Sequence, residues 1–375
     1  MSAVTFVNQS GDALGGAEHS LELLLRALPA DIRPSAVLFS NGTFERRLRE
    51  IGIPVTVVDM PAQLMSTTRE RPASSGLLDL PSSIGRVATA LKASDPDLVY
   101  TNSVKAHIVG SAAARSAGKP AIAHVRDILD GMARLIVRTA LLTCTVSRIA
   151  ISRAVRDAYA LSKTEVIPNP LELSLYDGLP ERADARRSLG LSDSGRLVSL
   201  IGRINRWKGH DRFVRIARLV RDQNAHFAIV GSPVFRDANF LDELRRQVRG
   251  LGLDGRLSFI PWIDDPRVAY AASDVVCNCS YNEPFGRTLI EAAACGVPSV
   301  CFAGGGTADA VLDGETGLIV REGPDDEDRF ARAVKRLLDD EQLRRRMAEG
   351  ARQYARQFDA GLHAERVAAV IRRAL

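Results

Sequence analysis

"DVVCNCSYNEPFGRTLIEAAACGVPSVCFA", from Asp274 to Ala303, reads as strand, loop, helix and strand within 30 residues. DVVCNCS and SVCFA are short, apolar and β-prone. Between them Pro284 restricts Glu283 to extended geometry and argues against one continuous helix. The helix is therefore expected to begin near Gly286. Two glutamates, Glu283 and Glu291, stand eight residues apart across this turn. In a continuous helix they would lie about 80° apart. With Glu283 on a loop tip and Glu291 on the helix, both can face the space above a strand's carboxyl end. That placement suits a polar ligand with hydroxyl groups at two places.

The same alternation extends outward in both directions. RLVSLIGR, HFAIVGS, RLSFIPW and TGLIV read as strands of the same half, with helices such as DRFVRIARLVRDQ and NFLDELRRQVRGLG between them. Upstream, VTFVNQS, SAVLFS, PVTVVDM, DLVYTNS, PAIAHVRD and LLTCTVS read as a second strand set, with the helix AEHSLELLLRAL after the first. Strand–helix alternation with β-branched strands predicts parallel sheets covered on both faces. Two such runs in tandem predict two Rossmann-like domains facing a crevice, with ligands at the carboxyl ends of the strands. The expected division is a first domain over 1–177, a polar, turn-rich linker over 178–195, a second domain over 196–355, and a C-terminal helix over 356–375 crossing back to the first.

Composition bounds the function classes. The chain has 375 residues, 46% of them hydrophobic and 25% charged, which suits a two-domain globular protein. No apolar run approaches the roughly 20 residues a bilayer span needs, and no positively charged leader precedes the first strand. Five cysteines in apolar or helical surroundings point to reduced thiols in the cytoplasm. The net charge of +5 is spread among interleaved acids and bases. That favours a solvated surface, or attraction to anionic substrates or headgroups, over nucleic-acid binding.

Three features converge on a diphosphate. Gly15-Gly16 stand directly before a helix, where backbone N–H groups can approach an anion. The loop IGRINRWKGHDRF places Arg203 at a strand end and Lys208 a few residues on, with Arg206 between them. Only six of the 50 basic residues are lysines, so Lys208 is conspicuous there. The N–H groups near Phe285 and Gly286 open a helix that can face phosphate. The Gly15-Gly16 loop does not match G-x-G-x-x-G, so a nicotinamide cofactor is not indicated. The D-x-D at Asp95–Asp97 reads as loop capping, and no metal site is expected. Taken alone, the two glutamates are also compatible with acid/base glycoside hydrolysis, but that leaves the phosphate-type groups without a role.

GRINRWKG, SYNEPFGRTLIEAAACGVPSV and GGTADAVLDGETGLIV together resemble the C-terminal domain of retaining GT-B glycosyltransferases, particularly glycosyltransferase family 4. The family's Glu-x7-Glu element matches Glu283 to Glu291. LGGAEHSL resembles its N-terminal Gly-Gly loop, AHVRD its His-bearing strand end, and VIPNP the segment closing its first domain. The resemblance implies that Arg203 and Lys208 bind the donor diphosphate, with Gly16 donating a backbone N–H. It implies that Glu283 holds sugar hydroxyls, Glu291 the ribose, and His124 the donor sugar, with Arg126 and Asp127 as neighbouring candidates. The nucleobase would lie near Pro261, Trp262 and Ile263, where Trp262 replaces a glycine frequent in the family. The implied reaction is metal-independent, retaining transfer of a sugar from a nucleoside diphosphate, most readily UDP, to a small-molecule, saccharide or lipid-linked acceptor. A nucleotide-sugar epimerase and a non-catalytic nucleotide-sugar-binding module remain alternatives on the same architecture. Residues 63–80 read as a long loop carrying Arg69 and Arg71, with Leu64, Met65, Leu77 and Leu78 at its ends, expected on the acceptor side and in weak contact with either a lipid headgroup at a membrane surface or an anionic acceptor.

Overall fold

The computed structural model describes residues 1–11, 15–66, 78–220, 222, 224–233 and 237–375. They form two compact units. One comprises Met1–Pro170 with Ala360–Leu375, the other Leu171–Asp359.

The first unit holds a seven-stranded, fully parallel sheet. Its strands are β1 (Ser2–Asn8), β2 (Ile32–Leu38), β3 (Val55–Val57), β4 (Leu98–Thr101), β5 (Ala121–Val125), β6 (Ser147–Ala150) and β7 (Thr164–Val166), in the order β3-β2-β1-β4-β5-β6-β7. The order reverses between β1 and β4, whose register pairs Val4 with Leu98 and Val7 with Thr101. At such a reversal successive connections leave to opposite faces, which opens the carboxyl edge to ligands. The second unit repeats the design with six strands: β8 (Arg196–Ile201), β9 (Ala225–Val230), β10 (Leu257–Ile260), β11 (Val275–Asn278), β12 (Ser299–Phe302) and β13 (Gly317–Val320), in the order β10-β9-β8-β11-β12-β13. Its reversal lies between β8 and β11. These are the two parallel-sheet Rossmann-like domains expected from the alternation.

The central strands are buried on both faces, so they read as apolar runs rather than alternating ones. Val4, Phe6, Leu98, Tyr100, Ile122 and Ile149 share one core with the helix Gly16–Ala27. The last helix, Ala360–Ala374, completes that core from the far end of the chain. It buries Ala364, Val367, Ala368, Val370 and Ile371 on one stripe. In the second unit Val198, Phe213, Phe227, Val275, Phe302 and Phe330 anchor the main core.

Three sequence expectations differ from the structure. LLTCTVS is not a strand: its first four residues end the helix Gly131–Cys144, and the strand begins at Ser147. The apolar run is shared by a helix end and a strand start, which periodicity does not separate. Residues 178–195, expected as a linker, lie within the second unit, where Arg182–Ser188 is helical. The polar composition misleads because Arg186 is buried. It donates to Asp274 at 2.7 Å and to the carbonyls of Ala272, Asp193 and Gly195. Residues Ala62–Ser66 form a helix whose Leu64 enters the core. Arg69, Arg71 and Leu77 of the expected acceptor-side loop lie outside the described residues.

Asp274 also accepts from Arg182 at 2.7 Å, from Arg196 at 3.2 Å and from the Leu197 N–H at 2.8 Å. One buried carboxylate thus ties the helix Arg182–Ser188 to the start of β8. Removing one partner of a buried ion pair strands the other, at a cost of about 3–5 kcal/mol. Asp274→Ala is expected to destabilise the chain by that amount in urea denaturation followed by circular dichroism. Arg187→Ala, on an exposed pair with Asp184 of the same helix, should change stability by less than about 1 kcal/mol.

Candidate active site

In the second unit the carboxyl ends of β8 and β11 meet at one buried carboxylate. Glu283 is 5% exposed. Its Oε2 accepts from Lys208 Nζ at 2.6 Å, Ser280 Oγ at 2.8 Å and Asn278 Nδ2 at 3.3 Å. Burial alone would push this carboxyl up. The Lys208 ammonium, together with the Ser280 and Asn278 donors, outweighs it and holds Glu283 below the usual carboxylate value. All three bonds converge on Oε2. Among the described residues none donates to Oε1, which therefore keeps its accepting capacity.

The backbone around this pair is closely packed. Gly305 has φ +70°, and a Cβ there would lie 2.0 Å from the Glu283 carbonyl oxygen. The Gly306 N–H donates to that same oxygen at 2.7 Å. Gly209 has φ +68°, and a Cβ there would lie 1.9 Å from the Cys279 carbonyl oxygen. Only glycine allows both approaches, which bring the Lys208 turn against the end of β11. Lys208 itself sits in a single helical turn, Arg206–Lys208, whose N-cap Asn205 accepts from the Lys208 N–H at 3.1 Å. Its ammonium lies 4.1 Å from the Trp207 ring centroid.

The helix expected near Gly286 runs over Arg287–Ala294, with Gly286 as its N-cap at φ +97°. The backbone N–H groups of Phe285 and Gly286 donate to no described residue, while the Phe285 ring is buried against Phe358 at 5.9 Å. Glu291 does not share the partners of Glu283. Its Oε2 accepts from Tyr270 Oη and its Oε1 from Arg287 Nε, both at 2.7 Å. Arg203 follows Gly202 at the end of β8, exposed and without a polar partner among the described residues. Pro261 and Trp262 are exposed beyond β10 and Ile263 is half-buried; Trp262 donates its N–H to Ser232 Oγ at 3.0 Å. Arg206, the third cation of the loop, turns instead to Glu243 at 2.7 Å.

The first unit brings a different polar set together at the carboxyl ends of its central strands. Gly15 caps the helix Gly16–Ala27 and gives its N–H to Glu18 Oε2 at 3.1 Å. Glu18 Oε1 accepts from Asn8, Asn8 Oδ1 from Asn102, and Asn102 Oδ1 from Arg126 Nε at 2.8 Å. Arg126 also donates to Asn169 at 2.6 Å. Two opposite buried charges, Glu18 and Arg126, are thus linked through side-chain amides. His124 differs from its expected place beside a ligand. It is 0% exposed, with Nδ1 shared between Tyr100 and Arg126 and its ring stacked on His363 at 5.8 Å. Burial, reinforced by the Arg126 charge, keeps its imidazole neutral. Its neighbour Arg126 does reach the strand end, but as a buried member of the network.

The chain matches two family models in succession. One, described as glycosyl transferase 4-like domain, covers residues 15–170; the other, glycosyl transferases group 1, covers residues 181–354. The chain belongs to the GT-B glycosyltransferases of family 4. Among curated relatives of this glycosyltransferase are D-inositol 3-phosphate glycosyltransferases of Salinispora arenicola and Corynebacterium glutamicum. Each is 34% identical, over 210 and 208 residues respectively, or 52% of the chain in both cases. These alignments span 46% and 48% of the relatives, so the chain covers about half the length of the curated proteins it matches. Among solved structures, Anabaena HepE in complex with UDP and glucose superposes with a TM-score of 0.86 at 27% identity, covering all of both chains. Sucrose-phosphate synthase of Thermosynechococcus elongatus superposes at 0.82 and 21% identity, over all of this chain and 99% of that one, and shares the fold.

Sequence reasoning missed Asn278, Ser280, Tyr270 and Glu18. The first two were legible as polar residues in the otherwise apolar end of β11. Tyr270 and Glu18 carry no such local signal.

The Lys208–Glu283 pair has a pH signature. The folded Glu283 pKa lies below its unfolded value of 4.5. The stabilisation is therefore present above that pH and lost as pH falls through the folded value. Lys208→Met leaves burial opposed only by neutral donors, so the carboxyl rises above 4.5 and the variant loses stability as pH increases. The gap between wild type and variant should be small at pH 4 and reach about 3–5 kcal/mol at pH 7. Urea melts at the two pH values measure it; an equal gap at both would contradict the assignment.

Proposed function

We propose that this glycosyltransferase moves a sugar from a nucleoside-diphosphate sugar, with UDP as the nucleotide, to a hydroxyl acceptor, with retention at the anomeric carbon. The carrying observation is the ionised Glu283 with one free oxygen, fastened to Lys208 at the carboxyl edge of the second sheet. Full-length likeness to a protein solved with UDP-glucose supports the donor class.

Breaking a glycosyl–phosphate bond develops positive charge on the sugar and negative charge on the departing diphosphate. Fixed cations and N–H dipoles that need no rearrangement stabilise the latter. In this reading Lys208 and the exposed Arg203 supply the cations. The unengaged N–H groups of Phe285 and Gly286, at a helix start, supply dipoles. Glu283 orients Lys208 through Oε2 and accepts a sugar hydroxyl on Oε1. Glu291 accepts from the ribose while Tyr270 and Arg287 hold its carboxylate in place. Trp262 offers an exposed ring for stacking near the base. In the first unit, Gly16 opens a helix whose N–H groups suit an anion, with the Glu18 carboxylate holding the preceding turn. His124 is assigned a structural part beneath Arg126 rather than a contact to sugar.

The acceptor is a saccharide, a small molecule or a lipid-linked hydroxyl. The reaction is placed in the cytoplasm, in keeping with five unpaired cysteines, four of them buried. No helix among the described residues is long and apolar enough to cross a membrane.

Two substitutions test the assignments. Lys208→Ala should lower kcat by at least about tenfold while changing the donor's dissociation constant less, because its phosphate partner gains charge on the way to the transition state. Unchanged kcat with weakened donor binding would make Lys208 a simple binding contact. Glu291→Ala should weaken UDP binding, read by titration calorimetry, by about 1.5–3 kcal/mol for a lost charged hydrogen bond. Equal affinity in the folded variant would remove Glu291 from the ribose.

A further inference from the structure

The helix Gly131–Cys144 turns an apolar face outward. Met132 is 66% exposed, Leu135 52% and Leu142 43%, and Val146 just beyond is 53% exposed. Its buried side rests on only Val137 and Leu141. At 100° per residue, Met132, Leu135, Ile136, Thr139, Leu142 and Thr143 fall on one stripe, about 17 Å long. The two threonines do not make this stripe polar. Thr139 Oγ1 donates to the Leu135 carbonyl at 2.9 Å and Thr143 Oγ1 to the Thr139 carbonyl at 2.8 Å. Both hydroxyls are spent on the helix backbone. An exposed apolar stripe of this length on a monomer marks a contact surface.

Charge says what the surface contacts. No aspartate or glutamate occurs between Asp130 and Asp157. The helix is flanked by arginines whose charge meets no carboxylate among the described residues. Arg134 is exposed and has no polar partner there. Arg138 Nε donates to the Tyr159 carbonyl, and Arg115 Nη1 to the Thr143 carbonyl, both main-chain oxygens. The asymmetry is global as well. The first unit holds 22 Lys and Arg against 16 Asp and Glu, a net +6, while the second holds 28 against 29, a net −1. The whole positive balance of the chain therefore resides in the unit that carries the stripe. A second copy of the chain would bring arginines against arginines. An apolar stripe edged by cations suits a surface that is both greasy and negative.

We propose that the helix Gly131–Cys144 docks the chain on an anionic lipid bilayer, with Met132, Leu135 and Leu142 entering the headgroup boundary and Arg115, Arg134 and Arg138 facing lipid phosphates. An amphipathic helix lying in the interface binds through buried apolar area plus attraction to anionic lipid. This inference does not depend on the donor or on catalysis. It calls for a different surface from the segment around Arg69 and Arg71.

The test is co-sedimentation of the full-length chain with vesicles of phosphatidylglycerol in phosphatidylcholine, against vesicles of phosphatidylcholine alone. The wild type should partition to the anionic vesicles and be released by high salt, as surface charges are screened. The double variant Leu135→Ser, Leu142→Ser should lose at least about tenfold in partitioning, tenfold being 1.4 kcal/mol. Arg134→Ala should lose partitioning to anionic vesicles alone. Thermal unfolding followed by circular dichroism should be unchanged in both, which separates a docking defect from misfolding. Wild type that stays in the supernatant with both vesicle types would overturn the proposal. So would full binding by the double variant. A wild-type dimer in size-exclusion chromatography with light scattering that the double variant converts to monomer would reassign the stripe to a second copy.

Discussion

A carboxylate taken out of water must be matched, and at Glu283 that requirement organises the second unit's edge. Three donors come from three places: Lys208 after β8, Asn278 at the last position of β11, and Ser280 just beyond it. Each can reach only if its own backbone comes close. The Gly209 approach to Cys279 and the Gly305 approach to Glu283 meet this geometric demand, and no residue with a side chain could take either place. The pair thus converts an electrostatic constraint into a loop geometry. Loops built this way need little reorganisation when an anionic ligand arrives, which is the property an electrostatic catalyst needs.

The first unit handles buried charge differently. Glu18 and Arg126 do not touch; two asparagines carry the connection between them. Amides accept and donate at once, so a chain of them spans distance without introducing further charge. The result holds the start of one helix and the ends of β1, β4 and β5 in register. His124 belongs to this network, and its neutrality follows from the same burial that keeps Arg126 in place.

The fold was largely legible because parallel strands buried on both faces leave apolar, β-branched runs between helices, and these stand out in a single sequence. What failed was local. The stretch around Cys144 is apolar on both sides of a helix end, so composition did not show the break. Arg182–Ser188 looked like a linker because arginine is normally solvated, and only the distant Asp274 explains the burial of Arg186. In the candidate site, Lys208, Glu283 and the helix start at Gly286 could be found from spacing. Their partners at Asn278 and Ser280 were read as strand, and Tyr270 is brought to Glu291 by tertiary packing. His124 illustrates the converse: a strand's carboxyl end is where ligands bind, but alternation along β5 decides whether a given side chain faces them or the interior.

The C-terminal helix has a further bearing on how the chain is made. The first unit's core around Val4, Leu21 and Leu24 is closed by residues 360–374, yet the ribosome must build all of residues 171–359 before supplying them. At about 5–20 residues per second, that interval lasts roughly ten to forty seconds. Through it, the earliest-made sheet stays open along the flank the last helix will cover, while the later-made second unit already has every strand it needs. The part synthesised first is therefore the part that matures last, and its uncovered flank is where a chaperone has the longest opportunity to bind.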